Sequence, residues 1–316
     1  MNQPLTDIQK ARLKVLEPKL AKAIENREFS TAKSLVSDLQ SLLRPTGHFV
    51  RLSQSKNRLY ELYIELGKYD LALNGLLSNR DILSQKTRVY LETVSLVAIC
   101  YIRMQEVEKA KPFIKEVLTN HMVIKSERTR KIFRLEMINR FNEEVSLCTL
   151  KSSSTPDFTE TDLESEVIRI VQTLTEDEIY ASMGQAAPQS TKDLIFQVYE
   201  YSTKQLQSAE RLALPSPNQK IMDKEVGLTI FQSVKRVVYR SLCDPESDIY
   251  QAWFKNGMQM VLSKGYISTA VISCLANLGI GIKMIAASII ALITKFGIEV
   301  YCEKYKPVQL MEIRKR

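Results

Sequence analysis

Two histidines, five cysteines, one alternating acidic cluster and one basic decad are the residues of this sequence best equipped for chemistry. His48 and His121 stand far apart, and neither has a neighbouring Cys, Asp or Ser in a nucleophile arrangement. The cysteines, at 100, 148, 243, 274 and 302, are scattered, odd in number and never spaced as CxxC. That pattern argues against a zinc site or a disulfide framework and predicts free thiols in a reducing compartment. In "CDPESD" (243–248), Asp244, Glu246 and Asp248 alternate as calcium-loop ligands do, but the turn glycine and the distal glutamate are missing. The cluster reads instead as a helix stop followed by a capped restart. No GxxxxGK[ST] phosphate loop, no GxGxxG and no HExxH occurs. The expectation is a non-enzymatic binding protein with no catalytic residues, cofactor or metal site.

The decad "KSERTRKIFR" (125–134) supplies Lys125, Arg128, Arg130, Lys131 and Arg134. Lys125, Arg128 and Lys131 share one helical face at a spacing of three. A charge run of this kind is usually a solvated face. Only one aromatic residue, Phe133, lies within the run, too few for a platform of stacked bases, which argues against nucleic acid. The charge is nonetheless uneven: residues 1–150 hold 25 Lys+Arg against 17 Asp+Glu, and residues 151–316 hold 19 against 19. The net +8 therefore belongs to the first half, which should meet acidic partners weakly and with strong salt dependence.

Residues of so little catalytic promise must be carried by a scaffold, and the first half shows its period. "NREFSTAKSLVSDL" from Asn26, "LGKYDLALNGLL" from Leu66 and "MQEVEKAKPFIKEVL" from Met104 align. They put Phe29, Tyr69 and Val107 at one position and Ala32, Ala72 and Ala110 three residues later. A bulky residue followed at i+3 by alanine suits a close helix crossing, where the small side chain lets two backbones approach. Apolar helical runs, "RLYELYIEL" and "TVSLVAICYI", precede the second and third units. Each unit reads as helix, short turn, helix.

On these residues the first half resembles the tetratricopeptide-repeat superfamily, best in "YELYIELGKYDLAL", where Gly67 makes the turn, Tyr69 packs and Ala72 sits at the crossing. Arg27 and Gln105 stand where the other two units would carry the turn glycine. The resemblance covers roughly residues 10–145. It implies an array with a protein partner on its concave face, without naming that partner.

The expected fold is all-α: a repeat domain over 1–150, a linker over 151–162 ("KSSSTPDFTETD") and a helical domain over 163–316. The acidic stretch from Asp157 to Glu178 either docks on the basic array or forms an exposed helix capped at Thr161 or Asp162. The apolar segment 266–302 poses the sharpest question. Between Lys264 and Lys295 it carries one charge, Lys283, and its length suits a transmembrane span. "GIG" (Gly279 to Gly281) predicts a break, giving a hairpin of two arms that keeps both ends on one side. In lipid, Ile289 and Ile290 would face the bilayer, and Lys283 and Lys295 would snorkel or pair with Glu299. Two readings follow. In one, the chain is a sensor or adaptor whose second half acts on membranes, as an oligomeric pore for instance, similar in logic to bacterial toxins and defence effectors. In the other it is a cytoplasmic helical scaffold, and its apolar helices are its core.

Overall fold

The structure, a computed structural model, describes residues 3–151, 158–203, 219–245, 247, 250–251, 271–272, 275 and 280–315. All the regular elements among these residues are helical; no strand occurs among them. The chain divides into two compact units. The first joins Met1–Ile138 to Val308–Arg316, and the second is Asn139–Pro307. The division falls at 138/139, inside a helix, where the sequence suggested a boundary at 150.

The first unit holds three helix–turn–helix pairs: α1 (Asp7–Glu25) with α2 (Phe29–Leu43), α3 (Phe49–Glu65) with α4 (Tyr69–Ile82), and α5 (Arg88–Arg103) with α6 (Val107–Thr119). A 3-10 turn, His121–Val123, leads to α7 (Glu127–Leu150). Local chemistry starts the first helix: the Thr6 hydroxyl accepts from Gln9 N while the Gln9 side chain accepts from Thr6 N, a reciprocal cap. Heptad-like apolar spacing then decides which face is buried. In α2, for example, Ala32, Val36, Leu39, Leu42 and Leu43 turn inward.

The three pairs close with the same turn. Arg27, Gly67 and Gln105 all have positive φ, at 57°, 72° and 65°. In each, the next amide reaches back to the third-last helical carbonyl: Glu28 N to Ala23 O, Lys68 N to Tyr63 O and Glu106 N to Tyr101 O, each 2.8 Å. This left-handed cap satisfies the carbonyls that a helix end leaves open. Ala32, Ala72 and Ala110 are fully buried, and Phe29, Tyr69 and Val107 are half-buried at the start of each second helix. Phe29 lies between the Tyr63 ring, 5.0 Å away, and Lys68 Nζ, 3.5 Å from its centroid.

The second unit contains α8 (Glu160–Thr173), α9 (Glu176–Gln185), α10 (Gln189–Thr203), α11 (Gln219–Cys243), α12 (Lys283–Phe296) and α13 (Ile298–Lys304). Thr159, earlier than the expected Thr161 or Asp162, caps α8 together with Asp162. Thr175 and Glu178 repeat the device on α9. The Thr159 hydroxyl and amide hold the Asp162 carboxyl below the usual range, and the Thr175 amide and hydroxyl do the same for Glu178. Helices α9 and α11 cross at two glycines. A Cβ on Gly184 would fall 1.8 Å from Asp223 O, and one on Gly227 would fall 1.8 Å from Tyr180 O. Only hydrogen fits between these backbones.

Helix α12 packs on α8 and α9, and every residue from Ile285 to Ile293 is buried. At 14 residues it spans about 21 Å, against about 30 Å for a bilayer core. No described helix is long and apolar enough to cross a membrane. The transmembrane expectation for 266–302 thus finds no support among the described residues; positions 266–270, 273–274 and 276–279, Gly279 included, lie outside them. The cysteine expectation is corrected outright. Cys243 and Cys302 form a disulfide across 59 residues, with their Cα atoms 5.5 Å apart. Cys100 and Cys148 are buried and lie outside this pair. Spacing rules miss such a pair because it is made by two helix ends, not by a local motif.

Candidate functional site

The most distinctive polar arrangement in the first unit lies on α3. First helices touch one another, α1 with α3 and α3 with α5, whereas the second helices pack on first helices. The first helices thus form one contiguous layer, with α3 at its middle. It is buried around most of its circumference, and its buried residues include Ser53, Ser55, Asn57 and Glu61. Buried polar groups need partners, and these residues have them. Asn57 Nδ2 donates to Thr93 Oγ1 at 2.8 Å, and Asn79 Nδ2 donates to Asn57 Oδ1 at 3.1 Å. Thr93 in turn donates to Val89 O. This chain of amides and hydroxyls locks the register of α3, α4 and α5.

One helical turn beyond Asn57, Glu61 is 1% exposed, a carboxylate in a place that would be costly without hydrogen bonds. Its oxygens accept from two backbone amides far along the chain. Leu310 N lies 2.6 Å from Oε1, and Met311 N lies 3.0 Å from Oε2. These amides open a 3-10 turn, Leu310–Lys315, which packs on α3. A carboxylate spanning the first two open amides of a turn is a charge-assisted cap. Leu310, Met311 and Ile313 are buried with it. Arg58, three residues before Glu61 on the same face, places Nη2 3.9 Å from Glu312 Oε1. That is an ion pair beyond hydrogen-bonding distance, and the Arg58 Nε is buried with no hydrogen-bond partner. The arrangement can hold a short segment by its main chain, seat three apolar side chains and attract an acid.

The residues singled out from the sequence distribute as follows. The repeat positions Phe29, Ala32, Gly67, Tyr69, Ala72, Val107 and Ala110 build the pairs described above. In the basic decad, Lys125, Arg128 and Lys131 are exposed, with Lys131 paired to Glu127 at 2.8 Å. Arg130 is half-buried and donates to Ile124 O, and Arg134 is also half-buried. Three of the five cations are thus exposed and two are half-buried. His48 Nδ1 lies 3.0 Å from Thr46 Oγ1, and His121 Nδ1 lies 2.9 Å from Leu118 O. Burial, with Arg134 and Arg130 nearby, pushes the His121 pKa down.

In the second unit Gly281 lies in the non-helical stretch just before α12, and Ile289 and Ile290 are buried in its core. Lys283 and Lys295 are exposed at the two ends of α12. Glu166 is held low first by its hydrogen bond to Arg169 and Asp162 by Thr159, with Lys283 adding a smaller pull on both, and Lys295 Nζ donates to Leu174 O. The acidic stretch thus meets cations of its own unit: Asp177 also pairs with Lys224 at 2.7 Å. Gly297, with φ 78°, interrupts the helix between Lys295 and Glu299, so the two do not stand four apart on one helix. The Glu299 side chain is outside the described residues.

Sequence reasoning missed Glu61, which sits inside the apolar run "RLYELYIEL". The available signal was an acid in mid-run, flanked by apolar residues, with Asn57 and Arg58 one turn back. Among the described residues no group of three His, Cys, Asp or Glu gathers to hold a metal ion. No protein-family model matches the chain, and no curated protein and no solved structure is detectably similar to it.

Proposed function

We propose that the chain is a non-enzymatic adaptor: a tetratricopeptide-like array whose inner face grips a short protein segment, joined to a helical unit that serves as scaffold. The observation that carries this reading is the buried Glu61 carboxylate holding two successive backbone amides of an incoming turn. Main-chain capture with apolar side chains seated beside it is how peptide-binding surfaces combine affinity with selectivity. The environments of both histidines are structural, with the ring nitrogens held by a loop hydroxyl and a helix-end carbonyl, which supports binding over catalysis. For the second unit, the continuous burial from Ile285 to Ile293 supports a core helix over a membrane-acting arm. An apolar helix needs an apolar surround, and here other helices of the unit supply it.

A photo-crosslinking residue at position 58, compared with one at exposed Asp70 on α4, tests the array. In the cells that make the protein, position 58 should give adducts with a second protein and position 70 should not. Adducts that are only internal, or equal at the two positions, would refute an inner-face binding role.

A further inference from the structure

The segment that fills the Glu61 site belongs to the same chain, and its fit is incomplete. Three kinds of its contacts bear on recognition. The first is two N–H bonds to Glu61, which any two non-proline residues could offer. The second is the burial of Leu310, Met311 and Ile313. The third is Glu312 facing Arg58 at 3.9 Å, which leaves the buried Arg58 Nε without a hydrogen-bond partner. An arginine fork can hold a carboxylate by two parallel bonds at about 2.7–2.9 Å, and the resident segment does not reach that geometry. The first two contacts define what the face accepts, and the third shows where a better ligand would gain.

We infer that the α3 face is a recognition site for partner segments of the pattern apolar–apolar–acidic–apolar, entering as a single turn, and that residues 308–315 are its resident, exchangeable occupant. This rests on the inner-face reading above and adds the ligand class and the competition to it. The partner supplies two consecutive free amides to Glu61, large aliphatic side chains at the first, second and fourth positions, and a carboxylate at the third that closes on Arg58 Nε and Nη2. Proline at either of the first two positions is excluded, because it has no N–H. A basic residue at the third is repelled by Arg58.

The test uses the full chain and a fluorescein-labelled peptide of residues 307–315, PVQLMEIRK, read by anisotropy. Leu310→Asp with Met311→Asp in the chain evicts the resident segment, since two carboxylates cannot occupy its buried positions. This variant, checked for helicity by circular dichroism, should bind the peptide at least tenfold tighter than wild type. Adding Glu61→Gln to it should lose at least tenfold, and a peptide with the same two aspartates should not bind. A helical variant that binds no tighter than wild type, or that binds equally well after Glu61→Gln is added, overturns the inference.

Should the double aspartate unfold the first unit, amide exchange in wild type decides. The Leu310 and Met311 amides should exchange by local opening, well before the amides of α5, and faster with added peptide. Exchange only through global unfolding would make the segment a fixed part of the core and overturn the inference. If local exchange fails while position 58 still crosslinks a second protein, the face binds partners elsewhere than at the Glu61 cap, and only this inference falls.

Discussion

Replacing Gly227 by alanine sets two effects of opposite sign against each other. In an isolated helix the change should stabilise by about 1 kcal/mol, because glycine is the poorer helix former. Here the new Cβ would lie 1.8 Å from the Tyr180 carbonyl oxygen, whereas ordinary contact begins near 3.4 Å. The obstacle is backbone, so α9 and α11 must move apart by about 1.6 Å locally. Buried side chains on both sides of the crossing feel that gap: Ile179, Tyr180 and Met183 on one helix, Val226, Ile230 and Phe231 on the other. Each contributes about 1.5–3 kcal/mol when buried, and a gap of about 0.5–1 Å already forfeits a quarter or more of a dispersion contact. Taking about 10 kcal/mol for the interface, the loss is about 3 kcal/mol and the net destabilisation about 2 kcal/mol. For a unit of this size that lowers Tm by about 4–8 °C. Thermal melts by far-UV circular dichroism measure it, with hydrogen exchange of α9 and α11 peptides assigning the loss to the second unit. Gly184→Ala should behave alike, and the double variant should cost less than the sum, since the first separation makes room for the second Cβ. A Tm equal to or above wild type for Gly227→Ala would show that propensity wins and would refute the close crossing.

At the three repeat turns, Gln105→Gly and Arg27→Gly should each stabilise by about 1 kcal/mol by relieving positive φ, and Gly67→Ala should cost about as much; urea melts test all three. The His121 pKa is lowered in the fold by burial, so the unfolded chain binds the proton more readily. The stability this residue contributes is present above about pH 6.5 and lost as pH falls towards its folded pKa. First-unit melting should weaken from about pH 7 to about pH 5, and less so in His121→Gln. Reducing Cys243–Cys302, which closes a 59-residue loop, should cost up to about 4 kcal/mol, seen as a lower melting point for the second unit with the first unaffected. Ile289→Asp with Ile290→Asp should unfold the second unit in circular dichroism. A double variant that keeps wild-type helicity and loses only liposome flotation would overturn the core reading of α12.

Much of the array could be read from one-dimensional pattern, because its determinants are local. The alanines recur at a fixed offset from the turns, and the aligned positions Arg27, Gly67 and Gln105 adopt one backbone conformation although only one of them is glycine. The non-helical residues 280–282 before Lys283 overlap "GIG", whose first glycine lies outside the described residues. What escaped depends on contacts between distant residues. Gly184 reads as a helix end and Gly227 as a tolerated weakness, until each is seen against the other helix. The cysteine pair looks random until α11 and α13 bring it together. The Glu61 cap joins residues 249 and 250 positions apart, and neither end carries a motif.

The first unit is written in two pieces, with the 169 residues from Asn139 to Pro307 between them. Synthesis runs in one direction at about 5–20 residues per second, so the six helices of the array emerge whole while the segment that caps Glu61 is still about 10–40 s away. During that interval the α3 face is assembled without Leu310 and Met311, and the second unit has time to condense first. A partner peptide of the proposed pattern, present at the ribosome, would meet the face before its resident does. Translation order would then set the first occupant, and relative affinity the later exchange.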